Sequence, residues 1–337
     1  MDTQKRIIQW QPLSTVPGLV FRHFAGDADH QIRCDIANAL KEANGMEQII
    51  TLEDIRNDEK WTTNYDIHQQ LIYVELNEKA IGYMGYSWQA DIKDNMFFYI
   101  FGNLLSEYWG KGFADLMLQF VEEKIHEAAA SMPVEQGKAI RMWRNQSARE
   151  YVAFLQAHGY QIERYFFKML RPITKPLPEV SFPAGVELRE VKPEHYRAIW
   201  DADQEAFRDH WGYAEPTEEM FEAWQKDRLF QPHLWKVAWE GDQVCGMVRN
   251  FYDPQENEEY NRKRGYTEEI SVRRPWRGKG VAKACIAESI KMFRDMGMEE
   301  TVLNVDANNP NGALQLYQFM GYEVEEDKTG LMLCKNL

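Results

Sequence analysis

The second half of the chain alternates short apolar strands with longer amphipathic segments. Alternating apolar positions predict strands at 185–190, 234–240, 243–251, 265–272 and 301–305, with a last strand near 330–335. Helical spacing predicts helices across 193–228 and from 280 to 296. Asn309 and Pro310 have the residue types of a helix start, and Gly321 the type of a helix end. This order of elements predicts an α/β domain.

The first half repeats the pattern at a distance of about 160 to 170 residues, far beyond the period of a solenoid. Three pairs of segments match in order and spacing: Gly18–Arg22 with Gly185–Arg189, Trp109–Ala114 with Arg277–Ala282, and His158–Tyr160 with Met320–Tyr322. At 337 residues the chain also fits two domains better than one core. The pattern therefore predicts two duplicated domains, at 1–172 and 184–337.

A proline-rich stretch at 173–183 separates the two copies. Pro172, Pro176, Pro178 and Pro183 disfavour a helix or an internal strand and favour a stiff, extended linker. The alternative is an ordered edge strand of one copy, which would move the boundary by several residues.

Composition excludes several classes of protein. The chain is 44% hydrophobic and 27% charged, and its longest apolar run falls well short of the roughly 18 residues that cross a bilayer. The first residues contain no apolar core of a secretory signal, so we expect a cytoplasmic protein without membrane contact. The net charge of −14 disfavours nucleic acid as a partner and favours a cationic acceptor, although solvated surface carboxylates would give the same charge.

The four cysteines are Cys34, Cys245, Cys285 and Cys334. They are widely scattered and form no CxxC pair, so we expect buried thiols rather than disulfides or a metal site.

A loop rich in glycine and arginine joins the predicted strand 265–272 to the helix that follows. Glycines at 278 and 280 let an anion approach the backbone, and the first amides of a helix have no partner within it. Positive charge surrounds them, from Arg273, Arg274, Arg277, Lys279 and Lys283. The loop is therefore a candidate pyrophosphate site. A plain solvated turn is the alternative reading.

The surroundings favour the first reading. Arg277, Gly280 and Ala282 fit the R/Q-x-x-G-x-G/A signature of the GNAT N-acetyltransferases, and the segment from Val305 to Pro310 is similar to the closing segment of that family. The chain thus resembles a tandem GNAT protein. The resemblance implies two tandem GNAT-like domains, each a mixed, mostly antiparallel sheet with splayed central parallel strands flanked by helices.

The resemblance also implies acetyl-coenzyme A as co-substrate, bound between the strand ending at Val272 and strand 301–305. Amides of the loop would hold the pyrophosphate, and the main chain at 270–272 would run beside the pantetheine arm. The implied cofactor-binding residues are Ile270, Val272, Arg277, Gly278, Lys279, Gly280, Val281, Ala282 and Asn308. No metal is implied.

Candidate catalytic residues follow from the same resemblance. Tyr317 stands where family members have the tyrosine that protonates the departing thiolate, although an aromatic on such a helix is usually core. Glu268 and Glu269 are the candidate bases nearest in the sequence. Strand alternation turns them to opposite faces, so at most one can face the substrate, and Glu268 is preferred. A solvated strand end or a water relay remains open. A candidate rim for a cationic acceptor, or else a polar loop, consists of Glu205, Asp209, His210, Trp211, Gly212 and Tyr213.

The first copy lacks the corresponding chemistry. Trp109 stands where the signature requires Arg or Gln, and Leu155 stands where Tyr317 aligns. We therefore expect a non-catalytic scaffold. One degenerate and one intact copy is also the layout of the mycothiol synthases, two-domain GNAT enzymes that acetylate a cysteinyl pseudodisaccharide.

The resemblance as a whole implies acetyl transfer to a primary amine of a small molecule by direct attack in a ternary complex. The alternatives are acetylation of a cysteinyl amino-sugar, as in the mycothiol synthases, and a non-catalytic sensor that binds coenzyme A.

Overall fold

The computed structural model describes residues 5–62, 64–132 and 137–337. The chain divides into two compact units: Met1–Glu163 with Leu331–Leu337, and Arg164–Gly330. Within the described ranges, no helix has the length and apolar character needed to cross a membrane.

Thirteen strands and ten helices are found in the described residues. The strands are β1 (Leu19–His23), β2 (Leu71–Leu76), β3 (Lys79–Ala90), β4 (Met96–Leu104), β5 (Lys138–Asn145), β6 (Gln161–Pro172), β7 (Val186–Arg189), β8 (Lys236–Glu240), β9 (Gln243–Phe251), β10 (Arg264–Val272), β11 (Glu300–Asp306), β12 (Glu323–Val324) and β13 (Gly330–Asn336). The helices are α1 (Asp27–Ala39), α2 (Leu52–Trp61), α3 (Ile67–Gln70), α4 (Phe113–Ala130), α5 (Arg149–Ala157), α6 (Tyr196–Phe207), α7 (Glu218–Trp224), α8 (Pro254–Glu259), α9 (Val281–Asp295) and α10 (Ala313–Phe319).

The sheet of the second unit has the strand order β7-β8-β9-β10-β11-β6, with β12 also paired to β6. Its pairs are antiparallel except for β10 and β11, which run parallel. The parallel ladder joins only Arg264–Tyr266 to Glu300–Val302. Beyond Tyr266 the two strands separate, which opens a gap in the sheet.

The first unit repeats this plan. Its strands follow the order β1-β2-β3-β4-β5, with β13 beyond β5. Only β4 and β5 are parallel among the paired strands β1 to β5, and only over Met96–Tyr99 with Lys138–Arg141. Each copy thus has a mixed, mostly antiparallel sheet whose central parallel strands diverge. The predicted fold class is confirmed.

The compact units differ from the predicted domain boundaries in two places. β6 enters the second unit at Arg164, where it pairs with β11 along Phe166–Pro172. The last strand, predicted as part of the second domain, belongs to the first unit from Leu331 onward. Long-range pairing decides both assignments, and local periodicity carries no information about it.

The proline-rich segment 173–183 is packed rather than free. Ile173, Leu177, Val180 and Phe182 contact the hydrophobic core of the second unit. The fully buried Arg171 donates hydrogen bonds to the carbonyls of Lys175 and Pro176, at 2.5 and 3.0 Å, and so fixes the start of the segment.

The predicted start of the last helix is wrong by several residues. Asn309 Oδ1 accepts the amide of Asn311 at 2.8 Å and forms a turn instead of a helix cap. α10 begins only at Ala313, after Gly312 with φ of 71°. The short helix α8 was not predicted, because its six residues are too few to show a period.

Gly265 allows α9 to approach the parallel strands closely. A Cβ on Gly265 would lie 2.6 Å from ring carbons of Phe293, a fully buried residue of α9. The missing side chain therefore sets the position of the helix that begins at the glycine loop.

We predict that Gly265→Ala lowers the free energy of unfolding by about 1–3 kcal/mol, because the added methyl group overpacks the interface with Phe293. Urea denaturation measures the effect. Gly137→Ala is the matched control, since among the described residues its Cβ would meet only Asn95 Oδ1, at 3.8 Å. Equal stability of the two variants would contradict close packing at Gly265.

Candidate functional site

A cavity of about 640 Å³ lies in the second unit, where β10 and β11 separate. The start of α9, the end of α6 and the first turn of α10 complete its wall. The residues that line it include Phe166, Phe207, His210, Thr267, Glu268, Glu269, Ile270, Ser271, Val272, Arg277, Gly278, Lys279, Gly280, Val281, Ala282, Lys283, Asn304, Asp306, Asn309, Asn311 and Tyr317. All the predicted site residues except Asn308 are thus brought together.

Two glycines shape the loop at one end of the cavity. Gly278 and Gly280 have φ of 74° and 92°, a left-handed conformation that favours glycine. A Cβ on Gly278 would meet no atom within 4 Å, and one on Gly280 only the carbonyl oxygen of Ser181 at 3.9 Å. Both glycines therefore face open space at the start of α9, where the helix dipole and the first amides favour an anion.

Arg277 holds this loop together. Its Nε donates to the carbonyl of Val272 at 3.0 Å, and its two terminal nitrogens donate to Asp209 and to the carbonyl of Ala206 at 2.7 and 2.9 Å. Hydrogen bonds from Arg274 and Arg277 also lower the pKa of the Asp209 carboxyl well below its usual range. With all three nitrogens engaged, the guanidinium orders the loop. Arg277, predicted as a cofactor-binding residue, also lines the cavity.

Two other arginines of the loop are also paired. Arg273 binds Glu205 at 2.8 Å, and Arg274 binds Asp209. Lys279 and Lys283 line the cavity and form no ion pair with any residue that the structure describes. Lys283 Nζ lies 4.2 Å from the centre of the Phe319 ring. Of the five predicted cations, these two thus have no carboxylate partner among the described residues.

The residues of the predicted acceptor rim, at 205–213, mainly form contacts within the protein instead of lining the cavity. Glu205 and Asp209 bind the loop arginines, and the hydroxyl of Tyr213 donates to Glu215 at 3.2 Å. Of this segment only Ala206, Phe207 and His210 line the cavity. Burial lowers the pKa of His210, so the imidazole is neutral near pH 7.

A β-bulge in β10 brings two carboxylates to the cavity. Glu268 lies opposite Arg249 of β9 and Ser271 lies opposite Met247, so β10 has one residue more than its neighbour here. Glu269 takes the left-handed conformation with φ of 48°. The prediction that the two glutamates face opposite sides is therefore wrong, because the extra residue breaks the alternation; both line the cavity.

Glu268 has the properties of a proton acceptor. Asn304 Nδ2 of β11 donates to its carboxylate at 2.8 Å. Burial, together with the neighbouring Glu269, raises the pKa of Glu268 to about 8. A carboxylate with this pKa can take a proton from a bound ammonium group near neutral pH.

Tyr317 faces Glu268 from α10. The side chain is buried, and its hydroxyl has no hydrogen-bond partner among the described residues. Burial and the charge of Glu268 raise the pKa of Tyr317, so the hydroxyl stays protonated and can donate. Tyr322 is different, because its hydroxyl contacts Thr267 and Thr301 at 2.7 and 3.0 Å.

Asn308 does not line the cavity; its neighbours Asn309 and Asn311 do. The Asn308 amide donates to Asp306 at 2.9 Å and closes a tight turn. Sequence reasoning missed Phe166, Phe207 and Asn304 as lining residues. For Phe166 no local signal exists, since its strand reaches the cavity only by pairing with β11.

The corresponding cleft of the first unit is almost closed, at about 20 Å³. Trp109 packs against Tyr151 and Phe154 with ring centroids 4.9 and 5.5 Å apart. Leu155, the counterpart of Tyr317, is fully buried. Aromatic side chains thus fill the space that stays open in the second unit.

Similarity to known proteins agrees with this geometry. Residues 196–322 match the family described as Acetyltransferase (GNAT) family. This part of the chain is similar to the GNAT acetyltransferases. The predicted family resemblance is confirmed.

Curated relatives include the mycothiol acetyltransferase of Thermobispora bispora, 27% identical over 55% of this chain and 63% of that protein. The mycothiol acetyltransferase of Paenarthrobacter aurescens is 30% identical over 49% of this chain and 51% of that protein. The chain thus aligns with less than two thirds of the length of these relatives.

Solved structures cover the chain more fully. A GCN5-related N-acetyltransferase from Sphaerobacter thermophilus matches with a TM-score of 0.66 and 24% identity, over 95% of this chain and 96% of that one. A tandem GNAT protein from the clavulanic acid biosynthesis pathway matches with a TM-score of 0.64 and 11% identity, over 94% and 98%. These likenesses show that the tandem GNAT fold extends over nearly the whole chain.

We predict that Glu268→Gln becomes more stable relative to the wild type as the pH rises from 5 to 8. Folding raises the pKa of Glu268 from 4.5 to about 8, so the native state retains a proton that the unfolded state loses in this window. Wild-type stability therefore falls with pH by this contribution, and glutamine removes it. Urea midpoints at both pH values measure the difference.

The exposed Glu299, ion-paired with Lys263 outside the cavity, provides the control variant Glu299→Gln. A stability difference between Glu268→Gln and wild type that does not change with pH would refute the raised pKa.

Proposed function

We propose that the second unit transfers an acetyl group from acetyl-coenzyme A to a primary amine of a small molecule, by direct attack in a ternary complex. One observation carries the proposal. A single open cavity joins an anion-binding helix start to a proton acceptor, Glu268, and a hydroxyl donor, Tyr317. Acetyl transfer to an amine needs these groups at one place.

The cavity fits the co-substrate at two points. Gly278 and Gly280 leave space at the start of α9, and Lys279 and Lys283 add positive charge there, which suits a pyrophosphate. Beyond Tyr266, β10 has lost its ladder to β11. Its backbone at Ile270 is therefore available to hydrogen-bond an extended amide chain such as pantetheine, and Val272, whose carbonyl accepts a hydrogen bond from Arg277, lies beside it. Val281 and Ala282 contribute amides of the first helical turn.

The proposed chemistry divides the proton transfers between two residues. Glu268 takes a proton from the acceptor's ammonium group, which frees the nitrogen lone pair. The nitrogen bonds to the thioester carbonyl carbon, the carbon–sulfur bond breaks, and the sulfur leaves with the electron pair. The nitrogen then loses its remaining extra proton, which the departing thiolate takes up, so that the products are a neutral amide and the free thiol. Tyr317 donates a hydrogen bond to that sulfur, and its raised pKa favours donation over full proton transfer.

The proposed reaction does not by itself identify the amine acceptor. The relatives called mycothiol acetyltransferase favour a second candidate, a cysteinyl amino-sugar. A third possibility is a sensor that binds coenzyme A without catalysis. The open space beside Tyr317 and Glu268 supports an enzyme over a sensor.

We predict that a panel of small primary amines releases thiol from acetyl-coenzyme A, and that Tyr317→Phe lowers kcat by about one to three orders of magnitude. The affinity for coenzyme A should change little, because the ring remains. A thiol-detecting assay measures both. Thiol release with no amine, or full turnover by the variant, would count against the proposed mechanism; acetylation of the cysteinyl amino-sugar alone would select the second candidate.

We predict further that one chain binds one coenzyme A, in the second unit. Replacing both Lys279 and Lys283 with glutamine should weaken binding about tenfold or more, since charge-assisted hydrogen bonds contribute roughly 1.5–3 kcal/mol each when well placed. Lys111→Gln, in the loop of the first unit, should leave it unchanged. Calorimetric titration decides: two equivalent sites, or sensitivity to Lys111, would reverse the assignment of the two copies.

A further inference from the structure

Glu268 and Glu269 border the same cavity but have different neighbours. Glu268 accepts a hydrogen bond from Asn304 of β11. The carboxylate of Glu269 instead pairs with Arg249 of the neighbouring strand β9, at 3.2 Å. The Glu269 side chain is 51% exposed. The proposed mechanism assigns a role to Glu268 but none to Glu269.

Glu269 is the exposed end of a buried chain of charges. Arg249 also contacts Asp203 of α6 at 3.1 Å, and the side chains of Arg249 and Asp203 are 13% and 2% exposed. The guanidinium lies 5.3 Å from the ring of Trp224 and 6.0 Å from that of Trp235. Two carboxylates thus share one buried cation. Arg249 balances only one of the two negative charges. The other is available to a ligand at Glu269, because Glu269 is the only one of these three residues that lines the cavity.

The backbone at Glu269 also indicates a role for its side chain. Glu269 adopts the left-handed conformation with φ of 48°, which is unfavourable for a residue other than glycine. Without the bulge, strand alternation would turn Glu269 away from Glu268. The bulge and Arg249 together hold the carboxylate on the cavity side, at this cost.

Ser271 also borders the cavity and connects it to the same charges. The side chain is 5% exposed and interacts through a hydrogen bond with the buried Asp203. Asp306 is already bound to Arg164. The two lysines that line the cavity, Lys279 and Lys283, lie at the start of α9. The end of the cavity near Glu269 therefore offers the partly exposed carboxylate of Glu269 to a ligand.

We propose that Glu269 binds a second, protonated amine of the acceptor, so that the preferred acceptors are short aliphatic diamines. The inference rests on the proposed acetyltransferase function. Glu268 receives the reacting amine, and Glu269 the amine that stays charged. A short diamine fits because its two nitrogens must reach carboxylates of consecutive residues. Arg249 acts through Glu269 and is a positioning residue.

The experiment compares putrescine with butylamine, which has the same carbon chain and one amine fewer. Wild-type kcat/KM at pH 8 should favour putrescine. Glu269→Gln should reduce the putrescine-to-butylamine ratio about tenfold, through KM for putrescine, because a charge-assisted contact becomes a neutral one. Glu299→Gln, at an exposed ion pair outside the cavity, should keep the ratio.

A second pair of variants tests the positioning by Arg249. Removing the arginine alone would leave Asp203 buried and unpaired, so Arg249→Gln is combined with Asp203→Asn. This double variant should lose the preference for putrescine while thermal unfolding shows a folded protein. The single variant Arg249→Lys should retain part of the preference for putrescine, because a cation remains at this position.

The outcomes separate the two proposals. If amines are acetylated without preference for putrescine, or if Glu269→Gln lowers kcat equally for both acceptors, the diamine inference is wrong and the acetyltransferase proposal stands. If no amine is acetylated, the proposed function itself fails. A preference that depends on Glu269 and weakens with Arg249 supports both.

Discussion

The separation of β10 from β11 is the constraint on which the rest of the second unit depends. Parallel pairing ends at Tyr266, and the backbone of β10 beyond it loses the partners that a sheet would supply. The bulge at Glu269 adds one residue to the same stretch. The gap leaves room for a ligand, and every candidate site residue except Asn308 lines the cavity that it opens.

Ion pairs within the protein determine which charged side chains of the cavity can still bind a ligand. Glu205 and Asp209, at the end of α6, bind the arginines of the glycine loop and so connect helix and loop. Lys279 and Lys283, at the start of α9, form no ion pair with a described residue. At the other end of the cavity Asp203 and Glu269 share Arg249, so one negative charge is not compensated. The cavity therefore has a positive end and a negative end in a chain with a net charge of −14. This polarity matches an anionic donor and a cationic acceptor.

The two copies show how one frame acquires different properties through side chains alone. Both have diverging parallel strands followed by a helix that starts at a left-handed glycine, Gly112 or Gly280. In the first unit, Trp109 and its aromatic neighbours occupy the cleft and contribute to the core. Burying aromatic surface stabilises that unit, whereas the open cavity of the second unit forgoes such packing.

The sequence by itself determined most strands and helices of the second half, the duplication and the glycine loop, because periodicity and glycine positions are local properties of the chain. The assignment of Tyr317 came from the family resemblance. Tertiary structure decided the rest. Pairing with Asp209 and Ala206 makes Arg277 an organiser of the loop, and the bulge turns Glu269 into the cavity. β6 and β13 likewise join units that their sequence positions did not predict. Each of these depends on contacts between distant segments, whose hydrogen bonds and charges leave no pattern in the sequence nearby.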